Sequence, residues 1–154
     1  MTRDYFLAGG RAAELERICR SWAGTPFCRR SGVKGPRGGV DCASFLAVCL
    51  FELGAIDATI AIPPYTLNHA EHSDESLFRA WFEQPDVRAR VRRVEEDEPH
   101  VDGDIVFPRV GRTEHHAGFR IGGWVHHVAR PSGYCAMTVA QLQLHRSRYR
   151  LLEP

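Results

Sequence analysis

The stretch GGVDCASFLAVCLFELG, residues 38–54, places a cysteine at the start of an amphipathic helix. Asp41 stands where an N-cap is expected, and Gly54 stands where the helix would end. Cys42 therefore falls in the first helical turn, where unpaired backbone N–H groups carry partial positive charge. The apolar residues recur at the i, i+3 and i+4 spacing of one helical face: Phe45, Leu46, Cys49, Leu50 and Leu53.

The position of Cys42 indicates a nucleophilic thiol. A helix start stabilises the thiolate, so we expect the pKa of Cys42 to lie below the value of about 8.5 for a free thiol. The thiolate is the form that attacks in covalent catalysis, and the N–H of Cys42 could also help to hold an oxyanion. We expect Gly38 and Gly39 to let the backbone pass close to a substrate. The other cysteines are expected to be small, buried structural thiols: Cys19, Cys28, Cys49 and Cys135.

Composition and charge predict one soluble domain over residues 1–154. The chain is long enough to bury a core, and 44% of its residues are hydrophobic. The 20 Lys and Arg residues nearly balance the 19 Asp and Glu residues, which argues against a nucleic-acid partner. Glu52 interrupts the longest apolar run and no signal-peptide core is recognised, so we expect synthesis in the cytoplasm and no membrane insertion. The five cysteines lack a disulfide spacing pattern and are expected to be free.

Helical patterns come first along the chain and strand patterns follow, which predicts an α+β fold with an antiparallel sheet. Residues 11–23 form a predicted helix, and a second helix is predicted to begin near Ser73, with a buried stripe at Leu77, Phe78 and Trp81. Three short runs after Gly103 are β-like: DIVFP (104–108), HAGFRI (116–121) and WVHHVA (124–129). In the tail, a helix is predicted around VAQLQLHR (139–146), followed by a strand at YRLL (149–152).

Two histidine pairs, at residues 115–116 and 126–127, lie on either side of a predicted hairpin turn at residues 122–123. Neighbouring side chains of a strand point to opposite faces, so each pair offers one imidazole to a given face. One of these could be the general base for Cys42, and another its orienting partner. A two-residue turn would place His127 on the face of His116, whereas a three-residue loop would favour His126.

Three segments together resemble the NlpC-type cell-wall peptidases of the papain-like superfamily: GVDCASFLAVCLFELG (39–54), DGDIVFP (102–108) and HHAGFRIGGWVHHVA (115–129). The flanking segments WAGTPF (22–27) and IPPYTLNHAEHSDESLFRAW (62–81) resemble the branch found in bacteriophage tails and gene transfer agents. The match covers roughly residues 11 to 152. It implies a papain-like NlpC fold, with N-terminal helices packed on a central antiparallel sheet and the nucleophile at a helix N-terminus.

The resemblance also implies roles for three residues in a Cys-His-His triad. Cys42 matches the nucleophile, and His116, directly before Ala-Gly-Phe, matches the base. The third residue is a polar group on the next strand, and the aliphatic-aliphatic-His pattern selects His126. No cofactor or metal is implied. The chain departs from the family pattern at Ser44, where glycine is common, and at Phe27, where a tyrosine hydroxyl often helps the active site.

The implied activity is that of a cysteine peptidase that cuts peptidoglycan stem peptides near the D-glutamyl–diaminopimelate bond. The implied partners are tail-tip or hub proteins of a phage or gene transfer agent, whose particle would deliver the enzyme to the cell wall. A structural tail-tip protein with weak or no activity is the alternative, and a thiol enzyme of the host cytoplasm is another. A relative that transfers acyl groups remains open, while the absence of paired CxxC or HxxxH spacing disfavours a zinc site.

Overall fold

The computed structural model describes residues 2–57, 76–109 and 115–154. No helix within those ranges is long and apolar enough to cross a membrane. The described helices are α1 (Arg11–Arg20), α2 (Cys42–Glu52), α3 (Leu77–Phe82) and α4 (Pro85–Arg88), with 3-10 turns at Tyr5–Leu7 and Val139–Gln141. The described strands are β1 (Gly32–Val33), β2 (Gly39–Val40), β3 (Val91–Arg93), β4 (Asp104–Pro108), β5 (Gly118–Ile121), β6 (Trp124–Ala129), β7 (Gly133–Thr138) and β8 (Leu144–Leu151).

Six of these strands form one sheet in the order β3-β8-β4-β5-β6-β7, and every neighbouring pair is antiparallel. Helix α2 packs on this sheet at β5 and β6, and α1 packs on α2. The short strands β1 and β2 pair with each other immediately before α2. The predicted α+β architecture, with helices on an antiparallel sheet and Cys42 at a helix start, is confirmed.

The start of α2 is held in place by its N-cap and by one aromatic side chain. The Asp41 carboxylate accepts a hydrogen bond from the backbone N–H of Ser44 at 2.8 Å, as expected of an N-cap. One turn further on, the fully buried Phe45 packs against Phe119 of β5 and Tyr134 of β7, with ring centroids 6.2 and 5.8 Å away. Burying a side chain of this size stabilises the fold by about 1.5–3 kcal/mol, so Phe45 anchors the end of α2 that carries Cys42.

Helix α3 covers another part of the core, next to β4 and β8. The predicted stripe of Leu77, Phe78 and Trp81 is buried, which confirms the 3.6-residue pattern. Phe78 lies 5.8 Å from Phe107 of β4, ring centre to ring centre. The described helix follows the N-cap Ser76, whose hydroxyl accepts from the N–H of Arg79 at 3.1 Å. The start predicted near Ser73 lies outside the described residues.

The Gly-Asp motif before β4 has a structural role. Gly103 has a φ of +99°, and a Cβ there would lie 2.4 Å from the ring of Phe6, so only glycine fits. The fully buried Asp104 accepts two hydrogen bonds from Arg150 of β8, at 2.6 and 2.9 Å. Burial alone would raise the pKa of Asp104, but the hydrogen bonds from Arg150 and His100 outweigh it and lower the pKa to about 2. This ion pair ties β4 to β8.

The C-terminal part of the chain differs from its predicted structure. The helix predicted around 139–146 is wrong, because only a 3-10 turn forms, at Val139–Gln141, and Leu144 already begins β8. Strand β8 pairs with β3 on one side and with β4 on the other, so long-range backbone hydrogen bonds outweigh the local helical pattern. Strand β7, Gly133–Thr138, was not predicted.

Candidate active site

The thiol of Cys42 lies against the segment that leads into β5. Its Sγ atom is 4.0 Å from the carbonyl oxygen of His115, and the backbone N–H of Ala117 also points to it. These two groups flank His116, so the tertiary structure brings the predicted nucleophile next to the backbone of the predicted base. Cys42 keeps part of its surface exposed to solvent.

The imidazole of His116 is hydrogen-bonded to that of His127. Nε2 of His116 lies 2.8 Å from Nδ1 of His127, and the two rings are nearly perpendicular, at 78°. Because this contact occupies Nε2 of His116, Nδ1 is the ring nitrogen left to accept a proton from a thiol. His127 is buried, which holds its ring in one orientation.

The expectation that His126 faces His116 is wrong, because the hairpin has the shorter of the two possible turns. Only residues 122 and 123 separate the strands, and Gly122 adopts a φ of +59°. Gly118 therefore pairs with His127. His116 lies two residues before Gly118, so its side chain lies on the same face of the sheet as that of His127. His126 points to the opposite face, fully buried, with its Nδ1 2.8 Å from the hydroxyl oxygen of Tyr134.

Gly118 leaves the space that the His127 side chain needs. A Cβ at position 118 would lie 2.9 Å from the Cβ of His127 and 2.7 Å from the carbonyl oxygen of His126. Both contacts are shorter than ordinary van der Waals distances, so a larger residue would push β6 away from β5. Gly118 is therefore a sequence signal for the histidine that lies opposite it. Together with the length of the turn, this signal could have selected His127 as the partner of His116.

The glycines before Cys42 are required by close contacts within the protein itself. A Cβ on Gly38 would lie 1.9 Å from the carbonyl oxygen of Val33, and a Cβ on Gly39 would lie 2.2 Å from the Cβ of Cys28. The backbone at Gly38 and Gly39 therefore lies close to β1 and to the neighbouring loop that contains Cys28. These contacts set the path of the chain into Asp41 and Cys42.

The expected low pKa of Cys42 is wrong for the free protein. Burial of the thiol, and then the charge of the adjacent Asp41, raise the pKa of Cys42 to about 12, although the N–H groups of Ala117, Ala43 and Cys42 itself act in the opposite direction. The same carboxylate that caps α2 thus opposes the positive potential of the helix start.

His116 is shifted away from its charged form as well. Burial, together with the positive charge that His127 would carry, lowers the pKa of His116 to about 3. At neutral pH the site therefore holds a thiol and a neutral imidazole. A neutral imidazole can accept a proton, and the two shifts together disfavour a preformed thiolate–imidazolium pair in the free protein.

The low pKa of His116 predicts that stability falls in acid. The folded-state pKa of His116 is about 3, below the unfolded value of about 6.5, so only the unfolded chain binds this proton between those two values. The free energy of unfolding should therefore decrease as the pH falls from about 6.5 toward 3, by up to about 1.4 kcal/mol per pH unit from this group. The free energy of unfolding can be measured by denaturant titration at several pH values between 7 and 4. For His116→Gln it should change less steeply with pH than for the wild-type protein. An equally steep change would contradict a neutral His116 in the folded protein.

The arrangement of helices and sheet is similar to that of a known structure. The crystal structure of the NlpC/p60 domain of the peptidoglycan hydrolase SagA matches with a TM-score of 0.52 at 16% sequence identity, covering 91% of this chain and 97% of that chain. The chain has the NlpC/p60 fold. No protein-family model matches the sequence, and no curated protein matches it either.

Phe27, at a position where tyrosine is common in the family that the sequence resembles, lies beside the segment that leads into Cys42. It forms a β-bridge with Val40, two residues before Cys42, and its ring lies 5.1 Å from the guanidinium carbon of Arg130.

Among the residues that the structure describes, no group of three or more His, Cys, Asp or Glu side chains could hold a metal ion.

The other four thiols lie in three different environments. Cys19 and Cys49 are fully buried, as predicted for structural thiols. Cys28 is exposed, so its predicted burial is wrong. Cys135 is partly buried, and its Sγ lies 3.4 Å from Nε2 of His127. No local sequence signal indicates this contact, because it arises from the pairing of β7 with β6.

Proposed function

We propose that this chain is a cysteine peptidase that hydrolyses peptidoglycan stem peptides. The observation that carries the proposal is the position of the Cys42 thiol against the backbone on both sides of His116, whose ring is hydrogen-bonded to His127. A nucleophile, a base and a group that orients the base are the parts that acyl transfer requires. The substrate class is supported by the sequence resemblance and by the fold shared with a domain of a peptidoglycan hydrolase.

In the mechanism that we propose, Sγ of Cys42 attacks the peptide carbonyl carbon while Nδ1 of His116 takes the thiol proton. His127 accepts a hydrogen bond from Nε2–H of His116 through its Nδ1, and this contact stabilises the imidazolium that forms. The leaving amine takes the proton from Nδ1, which leaves a thioester on Cys42. Water, deprotonated by His116, then attacks the thioester, and the acid and the free thiol are released.

The proton transfer must overcome the high pKa of Cys42 and the low pKa of His116 in the free protein. The N–H groups of Ala117 and Cys42 point to the sulfur and stabilise negative charge on it as the proton leaves. These donors act in a partly buried site, where a hydrogen bond to a charged group is worth more than in water. The thiolate therefore forms only as the attack proceeds.

The bond cut and the setting are finer parts of the same proposal. The D-glutamyl–diaminopimelate bond is the proposed target, and the enzyme would act as a tail component that a phage or gene-transfer-agent particle delivers to the cell wall. The support is the resemblance of residues 22–27 and 62–81 to that branch; residues 62–75 lie outside the described ranges. Mass spectrometry of purified particles should detect the chain, and its absence from them would contradict this setting.

Digestion of purified peptidoglycan tests the activity itself. The intact protein should release fragments with new amino termini, which labelling of free amines and mass spectrometry will locate in the stem peptide. Cys42→Ala is the matched control and should release none. If wild-type protein and Cys42→Ala give the same fragments, the proposed function is wrong, and a structural tail protein becomes the better interpretation.

A further inference from the structure

The contact between β6 and β7 extends the row of interacting side chains beyond His127. Cys135 pairs directly with His127 across the two strands, so the two side chains lie on the same face. Sγ of Cys135 is 3.4 Å from Nε2 of His127, while Nδ1 of His127 contacts His116. Both ring nitrogens of His127 therefore have a partner, and Cys135 is the outer one.

The direction of these hydrogen bonds decides whether His116 can act as a base. For Nδ1 of His116 to be free of a proton, the neutral ring must carry its proton on Nε2 and donate it to Nδ1 of His127. His127 must then carry its own proton on Nε2, which faces Cys135. If the thiol of Cys135 donated to Nε2 instead, both rings would change tautomer and His116 would lose its basic nitrogen.

We infer that Cys135 is a positioning residue: its sulfur accepts the Nε2–H of His127 and holds His127 in the tautomer that keeps His116 basic. This inference rests on the proposed function for its catalytic consequence, but the tautomer itself can be observed without any turnover. A sulfur atom can accept an N–H hydrogen bond while its own S–H points elsewhere. Partial burial keeps water from competing for the contact.

Imidazole ¹⁵N NMR of the full chain tests the tautomer directly, with the eight histidines assigned through single substitutions. In the wild-type protein at pH 7, both His116 and His127 should carry the proton on Nε2. Cys135→Ala should shift His127 toward a mixture of tautomers. A wild-type His127 protonated on Nδ1, or a tautomer unaffected by Cys135→Ala, would overturn the inference.

Three substitutions at position 135 connect the tautomer to turnover. Cys135→Ala removes the acceptor and should lower kcat about three- to tenfold with little change in KM, the loss expected for one hydrogen bond. Cys135→Asp has nearly the same size and can only accept when ionised, so it should restore both the Nε2–H tautomer and kcat. Cys135→Ser can donate or accept and should fall between the two. Cys28→Ala, at an exposed thiol, is the control and should keep wild-type kcat.

The two readouts separate this inference from the proposed function. If the wild-type protein does not cut peptidoglycan but shows the predicted tautomers and their dependence on Cys135, only the proposed function fails. If it cuts peptidoglycan and Cys135→Ala changes neither the tautomer nor kcat, the proposed function stands and the role of Cys135 is wrong. An equal loss of kcat in Cys135→Ala and Cys135→Asp, with folding intact, would also contradict it.

Discussion

Replacement of Cys42 by alanine is expected to lower kcat on peptidoglycan stem peptides by at least about a thousandfold, because the nucleophile is lost. His116→Ala should cost nearly as much, since without its Nδ1 nothing takes the thiol proton from a group whose pKa is about 12. The double variant should be little worse than either single variant, because residues that act as one unit are not additive. Steady-state kinetics on a defined stem peptide will measure all three.

The control for the comparison of the two single variants with the double variant is another substitution in the same chain. Cys28→Ala removes an exposed thiol and should retain activity, which shows that thiol loss as such is harmless. Thermal unfolding should show that the inactive variants are folded. Losses that multiply in the double variant would mean that Cys42 and His116 act independently, and the proposed proton transfer between them would be wrong.

A large difference in kcat is expected between substitutions of the two histidines of β6, His126 and His127. His127→Ala should lower kcat roughly 10²- to 10⁴-fold at a temperature where the variant is folded, because His116 loses the partner that fixes its tautomer and stabilises its charge. His127→Asn should recover part of this loss, since an amide oxygen can accept the Nε2–H of His116. His126→Ala should leave kcat within a few-fold of wild type.

His126→Ala should instead lower the free energy of unfolding. His126 is fully buried, and its Nδ1 contacts the Tyr134 hydroxyl, so truncation leaves the hydroxyl of the partly buried Tyr134 without that partner and opens a cavity in the core. A loss of about 1–3 kcal/mol in the free energy of unfolding is expected for such a group. If His126→Ala lowers kcat as much as His127→Ala at a temperature where both are folded, the assignment from the hairpin register is wrong.

Local sequence determined the parts of this protein that depend on neighbours a few residues apart. The helix at residues 42–52 was predicted from its apolar spacing and its Asp41 N-cap, and both are present. The strand at residues 124–129 was predicted with its observed bounds, because its β-favouring residues and the Gly122-Gly123 turn before it are local signals. Cys42 and His116 were selected from motifs, and the fold places the Cys42 thiol against the backbone on both sides of His116.

Only the tertiary structure decided which histidine contacts His116. A change of one residue in the turn exchanges the two faces of β6, so the sequence alone left His126 and His127 open, and strand pairing settled it. The pKa of Cys42 depends on how many protein atoms surround the thiol, which no local pattern reports, and burial reversed the expected direction. Strand β8 and the contact of Cys135 with His127 likewise arise from pairing between segments distant in the chain, where long-range hydrogen bonds and packing outweigh local preference.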